Sequence, residues 1–438
     1  MSPHDLPADR RSFLFLQGPP GPLFHRLAAV LRERDVTVHR INICGGDRAD
    51  WPDKAVDFRQ RFTDWPVFVD RFLRQEKITD ILLFGDCRPF HVVARRIASM
   101  RGIRTHVLEE GYLRPHWMTF ELEGVNAHSR LQREKNWFLE QARGLPDDDA
   151  LPPVTASFRR RARDATRHYT AVHMGALAYP HYRTHRSVLP VVEGLGWIWK
   201  YAVGRARERA AERVVADLSR KRFFLLPLQL SGDYQIRSHS PFPTMPAAAD
   251  YVLESFAAHA PPDAHLLVKT HPLDCSFFNW KGFVRRRARK LGIADRVHYA
   301  DGGDLEELAA ETAGMICVNS TSATLALQVD TPVCVLGEAI YKVPGLVFDG
   351  HVDDFWIDPP PPEPGLYEAF RRVLLRECLI RGGLASESAV TTLVASMTEK
   401  LLERAPRREG SPANQSSTLA KCAAHEGGLK DAMRSSCA

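Results

Sequence analysis

The stretch HLLVKTHPLD (265–274) sets an apolar run directly against a lysine, a threonine and a His-Pro pair. Leu266, Leu267 and Val268 suit a buried strand. Lys269 and His271 at its end suit an anion, because an ammonium and an imidazole N–H both donate to phosphate oxygens. NSTS (319–322) has the same character: ahead of the helical ATLALQV, the hydroxyls and free amides of Ser320, Thr321 and Ser322 serve a helix cap or an anion equally well. Carboxylates complete the set. Glu109 and Glu110 close the run RTHVLEE, where adjacent carboxylates off an apolar strand must be solvated, paired or catalytic. Asp233 lies in the glycine-containing loop of PLQLSGDYQIRSHSP (227–241), together with Gln229 and Arg237. Gln17 and Gly18 in QGPPGP, Asp86 and Arg88 in FGDCRP, and Arg114 in EEGYLRP also follow apolar runs.

Each of these has a plainer reading: turn punctuation at Gln17 and Gly18, a loop residue before proline at His271, a helix cap at Ser320–Ser322, a turn aspartate at Asp233. Co-occurrence favours chemistry. Carboxylates from both halves of the chain and a Lys/His/Ser/Thr set would converge on one cleft, a site suited to transferring a sugar from a nucleotide.

The elements that must position these residues read as βαβ units. SFLFLQ (12–17) leads into the amphipathic LFHRLAAVLRERD, and TVHRINI (37–43) follows; DILLF (80–84), a helix over 90–101 and RTHVLEE repeat the scheme. From about 140 to 215 the pattern turns helical and basic, with RRRAR (159–163), which reads as a solvated face, and the aromatic GWIWKY (196–201). The α/β pattern returns in RFFLLPLQL (222–230), HLLVKTHP, RVHYA (296–300), GMICVNS (314–320) and PVCVLG (332–337). Parallel sheets flanked by helices follow, and in such sheets ligands sit outside the carboxyl ends of the strands, where every candidate above falls. A helix pair over 366–404 closes the second half, and the Ser/Gly/Ala-rich tail from 405 is expected to be disordered.

With 438 residues, two domains are expected. The formal net charge of +6 suits an anionic ligand or membrane surface without demanding nucleic acid. The eight cysteines form no CxxC pair, so buried free thiols are expected and a zinc site is not. SFLFLQ is too short for a signal-peptide core, and no run of about eighteen apolar residues marks a membrane span, so a cytoplasmic protein is expected.

Taken together, FLFLQGPPGPLFHRLAAVLRERDVTVHRINICGGD, DILLFGDCRPFH, VLEEGYLRPHWMTFE, GVNAHSRL, KTHP and VNSTSATLALQVDTPVCVLGEAIYKVPGL resemble the capsular polysaccharide biosynthesis proteins of the KpsS/LipB type from Gram-negative bacteria, in the same order over about 12–350. The resemblance implies a GT-B-like fold of two Rossmann-like α/β domains facing a central cleft: an acceptor-side domain with the helical connection at 11–205, and a CMP-sugar-binding domain with closing helices at 206–404. It implies a retaining β-Kdo transferase that uses CMP-Kdo to start the Kdo linker on phosphatidylglycerol or its lyso form. Asp233 would be the nucleophile and Glu109 or Glu110 the acid/base; His271, Pro272, Ser320 and Ser322 would bind the CMP phosphate. The QLSGDYQIR loop departs from the related pattern at Tyr234 and Gln235.

CMP-Kdo carries an activated anomeric centre, so neither metal nor cofactor is expected. Arg88, Arg114 or Arg237 would take the Kdo carboxylate bidentately. Peripheral attachment to the inner membrane and contact with other capsule synthesis and export proteins are further expectations. The competing readings are another GT-B-type enzyme such as a nucleotide-sugar epimerase, and a non-catalytic capsule assembly or export factor.

Overall fold

SFLF and DILLF in the first half and FFLLP, HLLVK, GMIC and VCV in the second are near-continuous apolar runs, the pattern of strands covered on both faces. The computed structural model describes residues 11–146, 154, 155, 157–184, 190–230, 234–274 and 278–403. The first half supplies β1 (Ser12–Phe15), β2 (Thr37–Asn42), β3 (Val56–Asp57), β4 (Asp80–Phe84), β5 (Arg104–Glu110) and β6 (Trp117–Leu122). Next come β7 (Phe223–Pro227), β8 (His265–Lys269), β9 (Val297–Ala300), β10 (Gly314–Cys317), β11 (Val333–Val335) and finally β12 (Leu379–Arg381). One sheet runs β12-β6-β5-β4-β1-β2-β3 and the other β11-β10-β7-β8-β9. Only the β5–β6 and β6–β12 pairings are antiparallel. Counted from its own first strand, the second sheet has the order 3-2-1-4-5 and the first extends it to 3-2-1-4-5-6-7, so each has a switch point beside that strand: between β1 and β4, and between β7 and β10. This is the GT-B-like α/β architecture expected from the sequence.

The end of the chain departs from that expectation. Residues 366–404 do not simply close the second half. Helix Leu366–Glu377 sets Phe370 against Phe138 of helix Lys135–Gln141 (centroids 5.2 Å apart), β12 pairs with β6, and helix Glu387–Leu402 covers the first sheet. The reason is an apolar stripe, Val390, Leu393, Met397 and Leu401, which buries against Phe13, Phe15 and the buried face of helix Leu23–Arg32 (Leu23, Phe24, Leu27, Leu31). A second core is continuous between the halves, from Leu14 and Ile81 through Phe138 and Phe370 to Leu225 and Met315.

Helices Phe158–Met174 and Pro190–Leu218 make the connection. The first lies so close to helix Gly45–Asp50 that a Cβ at Gly45 would come 2.2 Å from the Ala171 carbonyl oxygen. Part of the arginine run is committed to ion pairs: Arg160 with Asp164 and Glu387, Arg161 with Glu110. Among the described residues no helix is long and apolar enough to cross a membrane. Residues 404–438 lie outside the description.

Candidate functional site

Both switch points are built alike. Gln17 follows β1, and its side-chain oxygen accepts from Arg88, which follows β4, at 2.9 Å; the same guanidinium reaches the Gly18 carbonyl at 3.4 Å. Gln229 follows β7 and exchanges two hydrogen bonds with Asn319 after β10: its amide donates to Asn319 Oδ1 at 2.9 Å, and its oxygen accepts the Asn319 backbone N–H at 3.1 Å. Gln17 and Gln229 are both buried. They hold the two loops of each switch point together. Gly18 has no room for a side chain, since a Cβ would meet the Phe24 ring at 2.8 Å.

In the second half the carboxyl ends of β7, β8 and β10 open into a cavity of ≈ 200 Å³. Lys269, Thr270, His271, Pro272, Ser320, Thr321 and Ser322 line it, and Arg114 and Tyr112 reach it from the first half. Lys269 is the last residue of β8 and is buried; burial lowers its pKa. Neither Lys269 nor Arg114 has an ion-pair partner within 4.0 Å among the described residues, and the Arg114 guanidinium meets only the Gly111 carbonyl, at 3.4 Å. Lys200 of the connecting helix adds a third cation, its ammonium bonded to the carbonyls of Asp274 (3.0 Å) and His271 (3.5 Å).

His271 Nδ1 accepts the Leu273 backbone N–H at 3.0 Å, which assigns the ring proton to Nε2. Burial first, and the charge of Arg114 next, lower its pKa to about 4, so it is a neutral donor at neutral pH. Ser320 and Ser322 do not cap helix Ala323–Gln328: their hydroxyls bond each other at 2.8 Å, and Ser320 Oγ accepts the Ser322 N–H at 3.2 Å.

Adjacent residues of a strand face opposite sides, and this separates the two glutamates. Glu110 is held by Arg161 of the connecting helix. Glu109 lies where its charge raises the pKa of Cys87 and is felt by Arg88, on the side of the loop after β4. Asp233 lies outside the described residues. Arg237, in helix Tyr234–His239, is exposed. Asp86, expected to face substrate, is instead fully buried. Its Oδ2 accepts from His128 Nδ1 (2.9 Å), Arg95 (3.2 Å) and the Val125 N–H (3.2 Å), and its Oδ1 from the Cys87 thiol (3.2 Å). These donors hold its pKa well below the carboxylate range against burial, which pushes the other way. Its place is that of a loop anchor.

Sequence reasoning missed the residues that hold the halves in register. Tyr112 donates to Glu121 at 2.6 Å and accepts the Asn126 N–H, the Asn126 side chain accepts the Ile340 N–H at 2.8 Å, and Arg133 pairs with Glu338 at 3.1 Å. It also missed His128 and His239, which meet edge to face across the cleft at 4.6 Å. Neither lies on a regular strand, so no periodicity marks them; GVNAHSRL carries His128 and PLQLSGDYQIRSHSP carries His239, with nothing in either stretch to single out the histidine.

The profile of the family described as capsule polysaccharide biosynthesis protein matches residues 79–384. Capsule polysaccharide modification protein LipB of Neisseria meningitidis serogroup A is 34% identical over 388 residues, 86% of this chain and 92% of that protein. Capsule polysaccharide export protein KpsS of Escherichia coli is 32% identical over 372 residues, 83% and 94% of the two chains. Among solved structures, Thermosulfurimonas dismutans KpsC, a beta Kdo 2,7 transferase, aligns with 89% of this chain and 100% of its own at 14% identity and a TM-score of 0.44. The S. aureus MnaA–UDP structure aligns with 92% and 100% at 10% identity and a TM-score of 0.32.

Proposed function

Because the chain belongs to the capsule polysaccharide biosynthesis protein family, we propose that it is a retaining β-Kdo glycosyltransferase, moving Kdo from CMP-Kdo to a phosphatidylglycerol or lysophosphatidylglycerol acceptor to begin the lipid-linked capsule linker. The observation that carries this reading is the cavity at the ends of β7, β8 and β10. Two cations there, Lys269 and Arg114, lack a carboxylate partner among the described residues, and a neutral His271 and two hydroxyls stand beside them. A site of this kind suits a donor that is anionic at both its phosphate and its sugar.

In the proposed reaction the Asp233 carboxylate attacks the anomeric carbon of Kdo, and the bond from that carbon to the phosphate oxygen breaks. CMP leaves with its new charge stabilised by Lys269, by His271 Nε2–H and by the hydroxyls of Ser320–Ser322. Glu109 then takes the proton of the acceptor hydroxyl as that oxygen displaces Asp233, and two inversions give net retention. Glu109 is preferred to Glu110 because it lies on the strand face toward the loop after β4, where its charge is felt by Cys87 and Arg88, whereas Glu110 faces Arg161 of the connecting helix. Arg114 is the candidate for the Kdo carboxylate, since Arg88 is engaged with Gln17 and Gly18. No step requires a metal.

The protein is proposed to work at the cytoplasmic face of the inner membrane, beside other capsule synthesis and export proteins. Exposed Met174 and Leu177 at the end of the basic connecting helix support that location. The test is incubation of purified protein with CMP-Kdo and a fluorescent phosphatidylglycerol, expecting CMP release and a lipid product heavier by Kdo. Without acceptor, intact-mass measurement should find a Kdo adduct mapping to 227–241 that disappears in Asp233→Asn. Binding of the lipid-linked glycan without any turnover would instead identify an assembly factor.

A further inference from the structure

We propose that Asp86, Cys87, His128 and His239 form a site for one thiophilic divalent cation of the zinc class, joining the two α/β halves across the cleft. One ligand-type atom from each of the four residues lies within 4.8 Å of all the others. In a tetrahedral zinc site, metal–sulfur and metal–nitrogen bonds of roughly 2.3 and 2.0 Å put neighbouring ligand atoms about 3.3–3.5 Å apart. The contacts here already have that scale: Cys87 Sγ to His239 Nε2 is 3.2 Å, Cys87 Sγ to Asp86 Oδ1 is 3.2 Å, and Asp86 Oδ2 to His128 Nδ1 is 2.9 Å.

The donor set matches the same metal class. A thiol, two imidazoles and one carboxylate form a borderline-soft set that favours zinc, cobalt and nickel over magnesium or calcium, which take oxygen. His239 is buried, with its Nε2 directed at the Cys87 thiol. As the metal–sulfur bond forms, the Cys87 thiol gives its proton to solvent. The resulting thiolate and the Asp86 carboxylate balance the two charges of the cation. Arg95 and the Val125 N–H, both on Asp86 Oδ2, then act as the outer partners that ligating carboxylates have elsewhere.

The chain positions of the ligands say what the metal would do. Asp86 and Cys87 follow β4 and His128 follows β6, all in the first half. His239 ends helix Tyr234–His239 of the second, where its carbonyl accepts the Glu338 N–H at 2.7 Å. A bound cation would therefore cross-link the halves and fix the helix directly after the Asp233 loop. This inference does not depend on the transferase reading.

The test uses untagged full-length protein, stripped with chelator, reduced and titrated with Co2+. The expected result is a sulfur-to-cobalt charge-transfer band with tetrahedral visible bands, saturating at one equivalent and erased by Zn2+. Cys87→Ser should lose the charge-transfer band, His239→Ala should lose the tetrahedral visible spectrum, and Zn2+ should raise the melting temperature of the wild type but of neither variant. Far-ultraviolet circular dichroism establishes that each variant is folded, with Cys87→Ala as the alternative if Cys87→Ser is not. A wild type with no thiolate–cobalt band, or a band equally strong in Cys87→Ser, overturns the proposal.

Discussion

Replacing His271 separates two roles that one side chain performs. Its Nδ1 accepts the Leu273 N–H at 3.0 Å and holds the turn after β8, while Nε2–H is the donor left for the cavity. In His271→Ala both are lost. The turn bond is worth about 1 kcal/mol net, which in a chain of this size moves the melting temperature by about 2 °C or less. Loss of one positioned donor at a developing negative charge costs about 100-fold in rate, ~2.7 kcal/mol. His271→Asn is the control. A short asparagine oxygen accepts the N–H two residues on, as in an Asx turn, but its amide does not reach as far as Nε2. The assay is CMP release with and without acceptor, read beside differential scanning fluorimetry. Alanine should be slow and slightly less stable; asparagine should recover stability and stay slow. If asparagine restores turnover along with stability, His271 is a turn residue and the phosphate role is refuted.

Glu109→Gln should slow transfer by about 100-fold or more while still allowing the acceptor-free adduct to form, whereas Glu110→Gln should stay within a few-fold of wild type; equal effects would contradict the separation by strand face. Lys269→Met should abolish transfer yet raise stability by about 1 kcal/mol, because a buried ammonium whose nearest carboxylate influences, Asp301 and Asp304, stand beyond ion-pair distance is replaced by an apolar side chain of similar length; a less stable variant would mean that those carboxylates repay its burial. Urea unfolding as a function of pH should show stability level between about 6.5 and 8 and falling toward 4: His239 and His271 are both lowered to about 4 from 6.5, so the unfolded chain takes up their protons first. Asp80 and Asp86, whose pKa values are depressed, add their losses only below the unfolded 3.8, and the absence of a slope between 6.5 and 4 would refute the assignment. Met174→Asp with Leu177→Asp should reduce sedimentation with anionic vesicles at low salt, and unchanged sedimentation would remove this patch from the membrane reading.

The sequence was most legible where burial on both faces imposed uninterrupted apolar runs. DILLF and RTHVLEE coincide with β4 and β5, and the strand cores of the second half lie inside the runs read for them. β3 and β12 are two and three residues long, too short for a pattern to stand out. β6, WMTFEL, reads poorly because His116 before it and Glu121 within it are polar; Glu121 is tolerated there only because the hydroxyls of Tyr112 and Ser129 donate to it. The return of 387–402 to the first sheet could not be read from amphipathicity, which gives a face and not its partner. At the site, the residues after strands were visible as a class. Their division into Gln17 and Gln229 as loop clamps, Asp86 as an anchor and Lys269 as an unpaired cation depends on contacts between segments up to 90 residues apart.

That division explains how so small a cavity could stabilise a departing phosphate. Donors aimed at charge that appears only during reaction are effective when they do not reorganise, and an unpaired cation keeps its field only if no carboxylate can swing onto it. The first condition falls to the clamps: Gln229 fixes the loops after β7 and β10, Tyr112 and Asn126 fix the segment carrying Arg114 against the second half, and the Thr324 hydroxyl reaches the Tyr112 carbonyl at 3.5 Å. The second falls to the distribution of acids. Asp86 is enclosed by its own donors, Glu110 is held by Arg161 and Glu121 by Tyr112 and Ser129, so these three acids of the first half are kept from turning onto the cations. The positive field around Lys269 and Arg114 is then a property of the folded scaffold and is present before any donor arrives.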